Sequence, residues 1–164
     1  MTLKESYSWR DYWPLLMIVS VAVIAGVVGW LQTNNLMRSM TLFMGTGITL
    51  LASLKVMNVN DFAMTFAKYD LVAGGFRWYA YGYPFLELAL GIGYLLSWQL
   101  IIVNAVTFLV MTVGAVGVYR KMQDKEVLMC ACLGAVFNVP MTWVTLVEDV
   151  IMAGMAGVML FLLL

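Results

Sequence analysis

The sequence predicts an all-α integral membrane protein, and composition is the first reason. Of its 164 residues 63% are hydrophobic and 11% are charged, whereas a soluble domain is about one quarter charged. The mean hydropathy is +0.92. The apolar residues are also gathered into runs of membrane-span length, separated by short polar segments. We therefore expect a single transmembrane domain, a bundle of about five helices.

The charge balance and the rare residue types narrow the possible functions. The formal net charge is 0, which gives no indication of a nucleic-acid partner. The sequence has no histidine, so it lacks the commonest metal ligand and the usual general base at neutral pH. Its two cysteines allow one bridge or one thiol pair at most, and this excludes a disulfide scaffold. The sequence contains no nucleotide-binding loop and no nucleophile elbow.

The first two predicted spans are residues 13–31 and 40–57. The first run follows interfacial Trp and Tyr residues and ends without a cleavage motif, which is typical of a retained helix rather than a signal peptide. In the second span Gly45 and Gly47 allow a neighbouring helix to approach closely. Lys55 lies near the end of this span, where its side chain can reach the interface.

Residues 58–78 are the one long polar connection, and they predict an amphipathic helix on the membrane surface. Phe62, Phe66 and Tyr69 recur at helical spacing with charged residues between them. Gly74 and the glycine after it are expected to end this helix. A plain loop is the alternative.

The third and fourth predicted spans are residues 79–96 and 100–119. A cluster of tyrosines opens the third span, and Pro84 is expected in its first turn, where proline is tolerated. Glu87 then falls inside the membrane. The fourth span carries one interior amide, Asn104.

The last stretch, residues 128–164, cannot be one simple span. As a continuous helix it would reach roughly 55 Å, while a bilayer core is about 30 Å thick. We expect a break near Pro140, because proline removes a hydrogen-bond donor and clashes with the preceding turn. Residues 127–140 are then a broken or re-entrant segment that contains the cysteines, and residues 141–164 form the fifth span. Broken backbone at membrane depth needs cover from protein or a polar cavity.

The distribution of basic residues predicts a cytoplasmic N-terminus in a bacterial-type inner (plasma) membrane. With five spans, the segments on the N-terminal side hold Lys4, Arg10, Lys55, Lys68, Arg77, Arg120, Lys121 and Lys125. The other side holds only Arg38, so the positive-inside rule favours this multi-pass orientation. The cysteines would lie near the cytoplasmic face. If residues 128–146 were themselves a span, the C-terminus would instead return to the inside.

Two intramembrane acids, Glu87 and Glu148, are candidate site residues. Such acids are costly in a membrane and usually face a cavity or a partner. Each lies about 10–12 Å along its helix from the cytoplasmic side, so the two can share one level and handle protons. The alternative is a structural role, hydrogen-bonded to Asn104, to the tyrosines or to Lys55.

Cys130 and Cys132 form a Cys-X-Cys pair with three interpretations. As a redox pair they would cycle between dithiol and disulfide, with a thiolate as the reacting form. As a soft-metal site they would bind an ion such as Cu(I) or Hg(II) through two thiolates. They can also be small apolar residues without reactivity. The spacing alone does not separate these interpretations.

The methionines of the last span bear on the metal interpretation. Met152, Met155 and Met159 share one helix face with Glu148. In that interpretation Cys130, Cys132, Met152 and Met155 would be the ligands. Ordinary packing of methionine explains the same stripe.

The sequence resembles the MauE/DoxX family of small redox-associated membrane proteins. The residues that carry the resemblance are Lys55, Asp61-Phe62, Phe66-Ala67-Lys68-Tyr69-Asp70, Tyr83-Pro84-Phe85-Leu86-Glu87, Gly91 and Cys130-Ala131-Cys132-Leu133-Gly134. The resemblance implies a four-helix core with residues 13–31 as an N-terminal addition. It also implies thiol–disulfide chemistry beside thioredoxin-like partners, carried by the positions that match, Pro84, Glu87, Cys130 and Cys132.

Three functional hypotheses follow. The first is a redox-associated membrane protein that uses the cysteine pair for thiol–disulfide exchange, with Glu87 and Glu148 as proton-handling or structural acids. The second is a transporter or chaperone for a soft metal of the copper or mercury type, with a metal-chaperone protein as partner. The third is a structural accessory subunit of a membrane complex or oligomer. No resident cofactor is predicted apart from the metal of the second hypothesis.

Overall fold

The computed structural model describes residues 13–68, 70, 72–123, 128–129, 140–141 and 143–164. Within them the helices are α1 (Trp13–Thr33), α2 (Leu36–Met57), α3 (Val59–Phe66), α4 (Arg77–Leu95), α5 (Leu100–Gln123) and α6 (Trp143–Leu163). Two very short strands, β1 (Leu128–Met129) and β2 (Pro140–Met141), lie between α5 and α6. The predicted all-α membrane bundle is confirmed.

The long helices run antiparallel to their neighbours. The most extensive packing joins α1 to α2, α2 to α4, and α5 to α6, and smaller contacts join α4 to α5 and α2 to α6. Helices α1, α4 and α6 therefore begin at the end of the bundle where α2 and α5 finish. We call this the basic end, because Lys68, Arg77 and Arg120 lie there and Arg38 lies at the opposite end.

Four of the described helices are long and apolar enough to cross a membrane. They are α1, α2, α5 over Leu100–Arg120, and α6 over Leu146–Leu163. The third predicted span corresponds to α4, which has 19 residues and is not among the four. Its tyrosines, Pro84 and Glu87 lower its hydropathy. It is nevertheless central, since it packs along α2 and contacts α3 and α5.

Two glycines set the close approach of α2 and α4. A Cβ atom on Gly45 would lie 2.9 Å from Leu95 Cδ2, and one on Gly91 would lie 2.8 Å from the backbone nitrogen of Thr49. Neither position has room for a side chain, so these glycines fix the distance and register of the two helices. That register decides which polar residues of α2 and α4 meet.

Helix α3 is shorter than the sequence predicts. It ends at Phe66, well before Gly74, because the chain turns at Asp70. The carboxylate Oδ1 of Asp70 accepts hydrogen bonds from the backbone N–H groups of Val72 (2.9 Å) and Ala73 (2.8 Å). Asp70 is thus buried in a turn instead of lying on the polar face of a longer helix. Tyr69 lies outside the described residues.

The predicted break near Pro140 is present. Strands β1 and β2 pair antiparallel, with Leu128 opposite Met141 and Met129 opposite Pro140. Helix α6 begins only at Trp143, so residues 128–146 do not form one continuous span. The pairing brings the two ends of the segment that contains the cysteines together at the basic end. Cys130 and Cys132 themselves lie outside the described residues.

Candidate functional site

A buried ion pair joins α2 to α4. The Nζ atom of Lys55 lies 2.5 Å from Oε2 of Glu87, and the two side chains are 8% and 4% exposed. The expectation that Lys55 reaches the membrane interface is therefore wrong. Its ammonium group finds a carboxylate on the facing helix, and this partner replaces the water that it would meet at the interface.

Aromatic rings surround the lysine on the side of the basic end. Lys55 Nζ lies 5.5 Å from the ring centroids of both Phe62 and Tyr83. Phe62 of α3 stacks on Tyr83 of α4 with a centroid separation of 5.9 Å, and Phe66 packs against the same ring in a tilted arrangement at 4.4 Å. We call Phe62, Phe66, Tyr79 and Tyr83 the aromatic layer. It lies between the ion pair and the basic end, and its ring faces favour the ammonium ion electrostatically.

Pro84 lies beside this layer, but not in the first turn of a helix as predicted. Helix α4 already begins at Arg77, so Pro84 is inside it. Proline has no N–H to donate to the carbonyl of Ala80, which removes one helical hydrogen bond one turn before Glu87. Pro84 is fully buried, so the ring also fills the space next to the ion pair.

The ion pair opens onto a small cavity with two further acids. Lys55, Glu87, Glu148 and Asp149 line it, and we call these four residues the charge cluster. The apolar part of the wall is formed by Ile48, Leu51, Met111 and Met152. The structure thus brings Glu87 and Glu148 together, as their depths along the helices suggest. Lys55 and Asp149 were not among the predicted site residues. For Asp149 the sequence did contain a signal, since it forms an acid pair with Glu148 in an apolar run.

Helix α5 leaves room for one of these acids. A Cβ atom at Gly114 would lie 3.3 Å from Oδ2 of Asp149 and 3.9 Å from the hydroxyl oxygen of Tyr83. Gly114 is buried and has no side chain, so the Asp149 carboxylate of α6 and the Tyr83 hydroxyl of α4 both lie close to its Cα atom. This links the charge cluster to the aromatic layer.

Comparison with known proteins identifies the family. The family model described as "Methylamine utilisation protein MauE" matches residues 33–162. The chain belongs to the MauE family. No curated protein and no solved structure matches it. The matched region begins at the last residue of α1 and includes the charge cluster and both cysteines, so α1 precedes the part that the family shares.

Several of the described methionines of this MauE-family protein are packing residues. Met152 and Met159 are 8% and 0% exposed and belong to one core cluster with Met44 and Met111. Met155 is half-buried and also lines an open cleft against α1 and α2. Among the described residues, which exclude both cysteines, no group of three or more Asp, Glu, Cys or His residues is arranged to hold a metal ion.

A second polar contact lies nearer the opposite end of the bundle. The hydroxyl of Tyr94 donates to Oδ1 of Asn104 at 2.8 Å, and Asn104 Nδ2 donates to the carbonyl of Leu100 at 2.7 Å. Both side chains are fully buried. The sequence suggested Asn104, the tyrosines and Lys55 as possible partners of the acids. In the structure Asn104 pairs with Tyr94, and Glu87 pairs with Lys55.

Proposed function

We propose that this protein is an accessory membrane protein that exchanges electrons with a thioredoxin-like partner through Cys130 and Cys132. Glu87 and Glu148 handle protons in this proposal. The observation that carries it is the charge cluster, which lies in the half of the bundle that ends where β1 leads directly into Cys130. Membership of the MauE family supports the accessory role, and the family description suggests a methylamine-utilising system as its setting.

The exchange balances without any other reactant. One cysteine thiolate attacks a sulfur atom of the partner's disulfide and releases the partner's thiolate. The second cysteine then displaces the partner from the mixed disulfide. The chain's dithiol becomes a disulfide, the partner's disulfide becomes a dithiol, and two protons pass to the partner. A carboxylate near the thiols speeds this by accepting and returning a proton.

The charge cluster suits that proton transfer. Its described members are three carboxyl groups and one ammonium group in an apolar bundle, and acids placed inside a membrane bundle commonly relay protons. Glu148 is the member nearest to the cysteines in sequence and lies only five residues into α6. We therefore assign the proton exchange with the thiols to Glu148, and its replenishment to Glu87.

The orientation belongs to the same proposal. The excess of basic residues at the basic end favours a cytoplasmic position for it, in a bacterial-type inner membrane with the N-terminus inside. The partner would then present its disulfide at the cytoplasmic face of the membrane.

The first test counts thiols. Protein purified without oxygen is assayed for free thiols before and after treatment with a dithiol reductant, and for bound metal. Exchange predicts a metal-free protein whose two thiols appear only on reduction, and whose oxidation is lost in both Cys130→Ser and Cys132→Ser. Two free thiols that resist oxidation would contradict exchange and support a structural accessory subunit.

The second test addresses Glu148. Glu148→Gln should slow exchange with a thioredoxin-like disulfide by about 100-fold, the low end of a general acid–base contribution, and should flatten its pH profile. Thr112→Val, at an exposed position of α5, is the control. A Glu148→Gln protein with an unchanged pH profile would remove the proton-handling role and leave only a structural one.

A soft-metal transporter or chaperone is the second candidate function. The observation that favours it is that the thioether side chains of Met111 and Met152 line the same cavity as the acids. Copper near one equivalent, lost in Cys130→Ser and weakened when Met152 and Met155 are both changed to Leu, would favour it over exchange. Thiol exchange should survive the methionine substitutions.

A further inference from the structure

A second cavity opens at the basic end, outside the charge cluster. It lies between α3, the turn after it and the first two turns of α4, and its volume is about 570 Å³. Its charged wall consists of Asp61, Lys68 and Arg77. All three side chains are exposed. The proposed thiol exchange makes no use of this cavity.

The cavity is arranged for an anion. Neither Lys68 nor Arg77 forms an ion pair or side-chain hydrogen bond with the part of the chain that the structure describes. Together with Asp61 they leave a formal charge of +1 in the wall. Arg77 is also the first residue of α4, whose N-cap residue Phe76 supplies no side-chain hydrogen bond. The N-terminal end of the α4 dipole adds to the positive potential.

The position of the cavity favours the anionic headgroup of a lipid over a soluble anion. Phe76 and Trp78 flank Arg77 and are 70% and 87% exposed, as expected of aromatic residues in the headgroup region. Arg77 lies ten residues before Glu87 in the same helix, a rise of about 15 Å. The basic side chains therefore lie at the membrane surface while the ion pair lies inside the bundle.

We propose that this cavity binds the headgroup of an anionic phospholipid of the phosphatidylglycerol type. Lys68 and Arg77 hold the phosphate, and Phe76 and Trp78 contact the glycerol backbone and upper acyl chains. Arginine suits this role because its planar donors match two phosphate oxygens at once. Asp61 opposes the phosphate and limits the affinity.

Native mass spectrometry of the detergent-purified full chain tests the site. The protein is titrated with phosphatidylglycerol and, separately, with phosphatidylcholine of the same chain length. We expect one tightly retained phosphatidylglycerol per chain and weaker, unsaturated addition of phosphatidylcholine. Equal retention of the two lipids would overturn the proposal, because a headgroup site must distinguish a net negative charge.

Substitutions at single positions separate the site from general surface charge. Arg77→Gln and Lys68→Gln should each weaken phosphatidylglycerol binding about fivefold, the effect of one basic residue near an anionic surface. Arg120→Gln is the matched control, since Arg120 is exposed at the same end but does not line the cavity. An equal loss of phosphatidylglycerol binding in all three variants would overturn the site. Because Lys68 lies in an exposed turn, Lys68→Gln should not disturb folding.

The sign of the effect at Asp61 gives an independent check. Asp61→Asn should tighten phosphatidylglycerol binding by a few-fold, because a like charge is removed from the phosphate. Weaker binding in this variant would indicate a headgroup amine that pairs with Asp61, and would overturn the anionic assignment.

Inorganic phosphate at millimolar concentration should not displace the lipid. Complete displacement would identify free phosphate as the ligand instead.

Discussion

Two of the buried polar contacts between the described helices are built differently. Tyr94 and Asn104 are neutral, and Asn104 donates a further hydrogen bond to the carbonyl of Leu100. Lys55 and Glu87 are charged, and they face a cavity that two more acids share. A neutral contact can fix helix register, whereas a charged contact that faces further acids also provides the groups that the proposed proton transfer uses. The proposed function therefore lies in the half of the bundle near the basic end.

The largest expected effect comes from breaking the charged contact on one side only. Glu87→Leu removes the carboxylate that contacts the buried Lys55 ammonium, and we expect a loss of about 3–5 kcal/mol in the free energy of unfolding. Lys55→Met combined with Glu87→Leu should recover part of that loss, because neither charge of the pair is then left behind, while Glu148 and Asp149 still line the cavity. Unfolding in mixed detergent measures each variant. A double variant as unstable as the single one would show that the pair is not coupled as the geometry indicates.

A smaller effect is expected at the neutral contact. Tyr94→Phe removes the hydroxyl donor and leaves Oδ1 of Asn104 without that hydrogen bond in a buried site, at a cost of about 1–3 kcal/mol. The thiol exchange rate should not change, because this contact lies away from the charge cluster. A Tyr94→Phe protein with slowed exchange would undo the distinction between the two contacts.

The smallest expected effect tests the space beside Asp149. In Gly114→Ala the new methyl group would meet Asp149 Oδ2 at 3.3 Å, so the carboxylate must shift, at a cost of about 1 kcal/mol, the low end for overpacking. Gly154→Ala is the matched control, because a Cβ there meets no atom within 4 Å. Both variants gain about 1 kcal/mol from the higher helix propensity of alanine, so Gly154→Ala should unfold at a higher temperature than Gly114→Ala. Equal shifts in the two variants would mean that Asp149 does not depend on Gly114.

Local sequence patterns were enough for some features and not for others. Hydropathy predicted the membrane bundle, and a proline in an apolar run predicted the break at Pro140. The depth of Glu87 and Glu148 along their helices predicted that they lie at one level. These conclusions need only the periodicity and length of single segments.

The features that the sequence did not predict depend on contacts between segments. The sequence offered Lys55 only as one of several possible partners of the acids. Its pairing with Glu87 requires the register of α2 on α4, which Gly45 and Gly91 set through close approach and not through any local pattern. The early end of α3 requires the turn that Asp70 stabilises. Asp70 was predicted to be one more charge on a helix face, since a turn-forming aspartate and a surface aspartate look alike in sequence.

The aromatic layer has a consequence for the access of water to the charge cluster. Helix α3 has only eight residues, too few to persist alone, so the packing of Phe66 against Tyr79 and Tyr83 holds it in place. Phe62 and Phe66 are almost fully buried. The cover over Lys55 and Glu87 therefore depends on these side-chain contacts between α3 and α4, and not on the long helices alone.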